Sequence, residues 1–242
     1  MGNAAYLLDC YTKEFEAMVV HVDETGTIIM LDTTYFYPTS GGQPNDYGTI
    51  ASGVEVFAVT DVVKKDGAIG HIVERPGLKV GAKVLCSVDW DRRYRLMRYH
   101  TASHILATLI HNETSAEITG NQLYLDKARV DFSLEQFDRS LMNSFQDKVN
   151  AIIDQNLAVS FRILEREEAF KIPQLVKLRK AFPESITAIR IVDIGDFDHQ
   201  ACGGTHLKNT REIGHIEIYE LENKGKDRRR IYFRIPETVP AG

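Results

Sequence analysis

The stretch Asp91-Arg-Arg-Tyr-Arg-Leu-Met-Arg-Tyr-His-Thr-Ala-Ser-His-Ile-Leu-Ala-Thr-Leu-Ile110 marks where the chain changes period. Leu96, His100, Ala107 and Ile110 fall near one face at helical spacing, with Leu106 and Leu109 beside them, so the stretch is expected to be an amphipathic helix. Upstream the rhythm is different. From about Glu14 to Val88, β-rich runs alternate with turns: Phe15 to Asp23, a turn at Glu24-Thr25-Gly26, Thr27 to Asp32, then Val54 to Val63 with a turn at Lys65-Asp66-Gly67. This pattern predicts a small antiparallel barrel or sandwich. Downstream, Leu134, Phe137, Leu141, Phe145, Val149 and Ile152 predict a long helix from about Leu134 to Gln155. Ala158 to Leu164 is expected as a strand and Glu167 to Phe170 as a short helix. Ile213 to Glu220 and Arg229 to Ile235 form a hairpin turning near Lys224-Gly225. The expected fold is α+β: a small N-terminal β-barrel-like domain over residues 1–90 and an α+β domain over residues 91–242. The change of period alone places that boundary.

Composition narrows the class of protein. With 242 residues, 43% hydrophobic and 26% charged, the chain can bury a substantial core without covalent staples. Cys10, Cys86 and Cys202 are too few and too widely spaced for a disulfide framework, which favours a reducing interior. Met1 to Asp9 has neither a basic start nor a long apolar core, and no later apolar run approaches membrane-spanning length. A cytoplasmic location is expected, with no membrane partner. A formal net charge of −5 argues against indiscriminate polyanion binding, so any nucleic-acid contact must be local.

The helix carries His100 and His104, about one turn apart, and both imidazoles therefore project the same way. Far along the chain stands Cys202-Gly-Gly-Thr-His206. It follows the apolar run Ile189 to Ile194, which is broken at Asp196, and reads as a strand ending in a tight loop. His100, His104, Cys202 and His206 together offer three imidazoles and one thiolate, a donor set that suits tetrahedral Zn²⁺. A zincin protease is excluded, because Thr101 stands where HExxH requires glutamate. His21, His71, His111, His199 and His215 read as surface or packing residues, with His199 alone near enough to Cys202 to enter the site. Asp196 and Asp198 flank that loop and are expected to solvate the turn, with a catalytic role as the alternative.

Another feature is Tyr37-Pro-Thr-Ser-Gly-Gly-Gln-Pro-Asn-Asp-Tyr-Gly48. Gly41 and Gly42 free the backbone for close approach, and Thr39, Ser40, Gln43 and Asn45 offer hydrogen-bonding groups. Taken by itself it is a glycine-rich turn between strands. It is not a phosphate-binding P-loop, since no GKS or GKT follows. Arg92, Arg93, Arg95 and Arg98 crowd the helix, and Lys224, Lys226, Arg228, Arg229 and Arg230 form a second basic run. Read alone, each run is a solvated face.

In order, the chain presents Gly-Gly-Gln-Pro-x-Asp-x-Gly from Gly41 and Val88-Asp-Trp-Asp-Arg-Arg93 before His-Thr-Ala-Ser-His. Gly120 to Phe132 follows, ending Arg-Val-Asp-Phe, and then Ala-Cys-Gly-Gly-Thr-His206. This succession resembles the editing region of alanyl-tRNA synthetase and, more closely, the free-standing alanyl-tRNA editing proteins of the AlaX family. The glycine-rich N-terminal part, absent from the short form, makes the chain similar to the medium type. No room is expected upstream for an aminoacylation domain, nor downstream for the extra domain of the long form.

The resemblance implies a zinc-dependent aminoacyl-tRNA hydrolase acting in trans on Ser-tRNA(Ala), with Gly-tRNA(Ala) as a further substrate. His100, His104, Cys202 and His206 match the family's zinc positions. Thr39, with Gly41 and Gly42, falls in the segment by which the medium form recognises serine. Gln122 lies near the site in sequence order without a secure match to a catalytic glutamine. Arg92, Arg93, Arg95 and Arg98 would hold acceptor-stem phosphates with salt-dependent affinity. The partner implied is the acceptor end of mischarged tRNA(Ala), not DNA, engaged by a monomer or small homo-oligomer. Where synthetase editing regions commonly read Arg-Phe-Asp-Phe, this chain has Val130, a change expected to affect packing only. Because a catalytic zinc usually keeps one position open, His206, last in its loop, is expected to bind weakly. Two alternatives remain: a deacylase for another mischarged tRNA, such as one resembling the threonyl-tRNA editing domain, and a non-catalytic tRNA-binding module with a structural zinc.

Overall fold

In the computed structural model, which describes residues 3–65, 67–134, 138–172, 175 and 183–236, two-residue alternation closes a barrel. Six strands form it: β1 (Glu14–Val22), β2 (Ile28–Leu31), β3 (Gly48–Ser52), β4 (Glu55–Lys65), β5 (Ala68–Val73) and β6 (Lys83–Val88). They pair in the order β1-β2-β5-β4-β3-β6, and β6 closes on β1 through Glu14 opposite Ser87. In β1, Phe15, Ala17 and Val19 point inward between exposed neighbours, and in β6 Val84, Cys86 and Val88 do the same. Irregular pairing in β1 and β4 supplies the curvature that closure needs. Closure leaves no unpaired strand edge. Phe36, Phe57, Ile29, Ile50 and Val62 fill the interior. Polar groups share that space: His71 is fully buried, with Nδ1 2.9 Å from the Ile29 carbonyl and Nε2 2.8 Å from Thr34 Oγ1. The expected turn at Lys65-Asp66-Gly67 falls partly at Asp66, outside the described residues.

The chain forms two compact units, Met1–Met97 and Arg98–Gly242. The sequence places a boundary after residue 90, whereas the units divide inside helix α1 (Trp90–Thr114). The reason lies in the helix's first turns, where Arg93 is fully buried and paired with Asp46.

Helix α1 departs from the amphipathic expectation. From Tyr99 to Ile110 every residue but Thr108 is buried. Its polar positions are buried because they have partners: Ser103 Oγ donates to the Tyr99 carbonyl, 2.8 Å, and Thr101 accepts from Leu207 N, 3.2 Å.

The second unit adds β7 (Ile118–Leu123), β8 (Ala128–Phe132), α2 (Arg139–Asp154), β9 (Val159–Glu165), α3 (Arg166–Ala169), β10 (Ala188–Ile194), β11 (Asp198–Ala201), β12 (Glu217–Gly225) and β13 (Arg228–Arg234). One sheet runs β12-β13-β8-β7 and the other β9-β10-β11. Val130, in the Arg-Val-Asp-Phe segment, is buried in β8 as a packing residue. Helix α2 begins later than its apolar period suggests, because the Asp138 side chain caps it by accepting from Leu141 N at 2.8 Å. Phe137, counted in that period, lies outside the described residues. The last hairpin turns after Gly225, and Ile213 belongs to a separate 3-10 turn, Thr210–Ile213. The fold class is α+β. Among the described residues, no helix is long and apolar enough to cross a membrane.

Candidate metal centre

One turn of α1 brings His100 and His104 onto a common face, and the loop after β11 brings Cys202 and His206 to meet them. The ligand atoms of these four side chains all lie within 4.8 Å of one another. Cys202 Sγ is 3.5 Å from His100 Nε2 and 3.3 Å from His206 Nε2. A tetrahedron with a Zn–S bond of about 2.3 Å and Zn–N bonds of about 2.0–2.1 Å has S···N edges of about 3.5 Å. The donor set and its spacing fit a zinc-sized cation. The three histidines are buried and Cys202 is partly buried.

The loop is braced from behind. Cys202 N donates to the Arg190 carbonyl at 3.1 Å, while Arg190 Nη1 donates to the carbonyls of Cys202, 2.7 Å, and Gly204, 3.1 Å. Gly204 N donates to Cys202 Sγ at 3.3 Å, a bond that favours the thiolate. The sequence suggested one strand ending in a loop. In fact β10 ends at Ile194, and a second short strand, β11, returns the chain to Cys202. The polar run Asp198-His-Gln-Ala201 has no apolar alternation by which to announce itself.

Alternation in β11 sorts its side chains. Asp198 and Gln200 turn toward α1, and Asp198 Oδ2 lies 3.0 Å from His104 Nδ1. Asp198 Oδ1 accepts from Thr108 Oγ1 at 2.5 Å and from Gln200 Nε2 at 2.9 Å. Asp198 is therefore buried rather than a solvated turn residue, and Thr108, Gln200 and Arg190 are the neighbours that the sequence missed. His199, which the sequence allowed into the site, turns the other way, with Nδ1 2.6 Å from Asp193 Oδ1. His206 Nδ1 sits 3.2 Å from Thr101 Oγ1, so the residue that rules out a zincin helps to hold a candidate ligand.

The electrostatics are strongly perturbed. Burial alone would raise the Cys202 thiol, but His100 and His206 beside it hold it well below its usual range. Burial and neighbouring His100 push His206 down to about 3, leaving a neutral ring. Burial opposes protonation of His104, yet hydrogen bonds to Asp198 and Cys202 push it up to about 10. Burial raises Asp198, and the His104 contact more than offsets it. A thiol held low beside an imidazole held high is a pairing in which a bound cation would displace protons.

The remaining sequence candidates fall in several settings. Gly41 and Gly42, with φ of 58° and 81°, make the tight turn between Ser40 and Gln43, whose backbones bond reciprocally at 3.1 and 2.9 Å. Thr39 is exposed on that loop; its Oγ1 donates to Asn45 Oδ1, 3.3 Å, and accepts from Asn45 N, 3.1 Å. Gln122 is half-buried in β7, and its Nε2 donates to the Leu123 carbonyl at 3.2 Å. Arg93 cannot reach a phosphate. Its guanidinium is enclosed, donating to Asp46, to the Cys10 carbonyl at 2.9 Å and to the Tyr35 carbonyl at 2.5 Å. Arg92 is half-buried, donating to the Asn45 carbonyl at 2.9 Å and lying over the Tyr47 ring, and Arg98 donates to the Ile213 carbonyl at 2.7 Å. Arg95 is exposed. In the second basic run Arg230 is engaged by Asp131, with bonds of 2.7 and 2.9 Å.

Comparisons with known proteins agree with this layout. Residues 189–232 match the family described as threonyl and alanyl tRNA synthetase second additional domain, a span that includes Cys202 and His206. Residues 4–92 match tRNA synthetases class II (A). The chain is 49% identical to the alanyl-tRNA editing protein AlaX-M of Methanosarcina mazei, over 97% of both chains. It is 42% identical to AlaX-M of Saccharolobus solfataricus, over 97% of this chain and 99% of that one. The alanine–tRNA ligase of Pyrococcus abyssi is 38% identical, with 97% of this chain matching 26% of the ligase.

Proposed function

The chain belongs to the alanyl-tRNA editing proteins of the AlaX family, medium form, and from that membership we propose that it hydrolyses the ester linking a misattached amino acid to tRNA(Ala). Serine is the principal amino acid removed and glycine a second. The observation that carries this reading is the convergence of four metal-type donors within 4.8 Å.

His100, His104, Cys202 and His206 would hold zinc, which in such a site supplies Lewis-acid polarisation of a carbonyl or a fixed charge that orients the substrate. The chain's own residues prepare that place. Arg190 and Gly204 shape the loop that presents the Cys202 sulfur, and Thr101 keeps His206 Nε2 turned toward it. Thr39 is assigned to the serine hydroxyl, on the loop that Gly41 and Gly42 make tight enough for a close backbone approach. A site that hydrogen-bonds a hydroxyl disfavours alanine by leaving its own polar group unpaired. Arg92, Arg95 and Arg98 are assigned to the acceptor-stem phosphates, with Arg93 removed from that set, and Gln122 to the neighbourhood of the ester. The tRNA would be recognised through shape, 2′-hydroxyl contacts and the single-stranded end, in the cytoplasm, by a monomer or small homo-oligomer.

A second reading has one observation in its favour: four protein ligands close a tetrahedral shell, as in structural zinc sites. Incubating the protein with Ser-tRNA(Ala), Ala-tRNA(Ala) and Thr-tRNA(Thr), alongside Cys202→Ala, separates the readings. Selective release of serine, lost in Cys202→Ala, is expected. Binding of tRNA without ester cleavage would establish the structural reading, and release of threonine a different deacylase.

A further inference from the structure

Behind His104 lies a group of side chains that no ligand assignment requires. Asp198 is only 3% exposed, and a carboxylate withdrawn from water persists where donors surround it. Three do: His104 Nδ1, Thr108 Oγ1 and Gln200 Nε2, at 3.0, 2.5 and 2.9 Å. Gln200 Nε2 also donates to Thr108 Oγ1 at 3.0 Å, closing a brace of three side chains. Its geometry follows from two periodicities. Thr108 lies one helical turn beyond His104 on α1, and Asp198 and Gln200 lie two apart on β11, so each pair shares a face. The brace also forms part of the wall of a cavity of about 200 Å³, lined further by His111, Phe197 and Ala201.

We propose that Asp198, fixed by Thr108 and Gln200, is a positioning residue for the metal centre: it holds the proton of His104 on Nδ1 and turns Nε2 toward Cys202 and His206. A neutral imidazole has one donor nitrogen and one acceptor. With Nδ1–H committed to the carboxylate, the lone pair on Nε2 faces the cluster. A carboxylate behind a ligating histidine also raises its basicity and restricts its ring rotation. The proposal rests on the four-residue cluster being a metal site.

The test measures zinc affinity by chelator competition in the full chain for the parent, Asp198→Ala, Asp198→Asn and Thr108→Val. Ring ¹⁵N NMR of the zinc-loaded proteins reads the His104 tautomer. Asp198→Ala is expected to bind zinc about 10–100-fold more weakly, with the protected His104 Nδ1 proton lost. Asp198→Asn keeps an acceptor oxygen and should recover part of the affinity, and Thr108→Val should lose less than Asp198→Ala. A carboxylate serving only the fold would lower thermal stability while leaving zinc affinity and tautomer at parental values, and that result overturns the proposal. Should Asp198→Ala fail to fold, parental zinc affinity in folded Thr108→Val overturns it equally. A parent that takes up no zinc overturns the metal reading itself, which separates that failure from a failure of Asp198.

Discussion

Arg93 shares its charge with Arg92, Arg95 and Arg98, yet its environment differs from theirs in kind. Its guanidinium is enclosed with the Asp46 carboxylate, both side chains wholly withdrawn from solvent. Removing one partner of such a pair leaves a buried charge uncompensated, at a cost of about 3–5 kcal/mol. Arg93→Ala is therefore expected to lower unfolding stability by about that amount in urea titrations, while Arg95→Ala, at an exposed position, costs less. Equal midpoints for the two variants would refute the distinction. No property of the arginine cluster in the chain could have separated these residues, because the partner of Arg93 lies 47 positions away. His100 and His104 were legible for the opposite reason: their relation is one helical turn, and the cysteine's pairing with a nearby histidine completed the donor set.

Elements show the same division. The turn at Gly41 and Gly42 was visible as paired glycines, and positive φ at both explains why glycine stands there. The loop's hydrogen bonding was not visible: Asn45 engages the Thr39 hydroxyl both as donor and as acceptor. Thr39→Val should erode discrimination between Ser-tRNA(Ala) and Ala-tRNA(Ala) in deacylation assays, with zinc content by metal analysis unchanged. Parental discrimination in that variant would exclude Thr39 from serine recognition. Helix α1 was correctly placed from its apolar spacing, but its near-complete burial was hidden by polar residues whose partners are distant in sequence. Strand β11 escaped notice because Asp198, His199 and Gln200 are polar on both faces; its alternation is read in contacts to α1 and Asp193 instead.

At the scale of the whole molecule, the barrel interior carries a titration that should set its acid limit. Burial holds His71 neutral and pushes its pKa down to about 4, against an ordinary 6.5. Below pH 6.5 the unfolded chain takes up a proton that the folded barrel refuses, so stability falls on acidification. The contribution is fully present above pH 6.5 and is lost at up to about 1.4 kcal/mol per pH unit as the pH drops toward 4. Unfolding measured from pH 7 to 4.5 should show a steeper loss for the parent than for His71→Gln. Parallel curves would mean that His71 does not govern acid sensitivity. Neither the burial of His71 nor its two partners could be read from the chain, where it passed as one of several ordinary histidines.

Fold class and the four clustered candidate donors were readable in one dimension because both are periodic or local: alternation before Trp90, helical spacing after it, and short motifs within single elements. Which arginine is enclosed, which carboxylate stands behind His104 and which way His199 turns were settled by packing. These are relations between residues brought together from far apart, 94 positions in the case of His104 and Asp198. Desolvation then gives each group its character, since a buried charge persists only with a partner, and the chain must fold before that partner is in place.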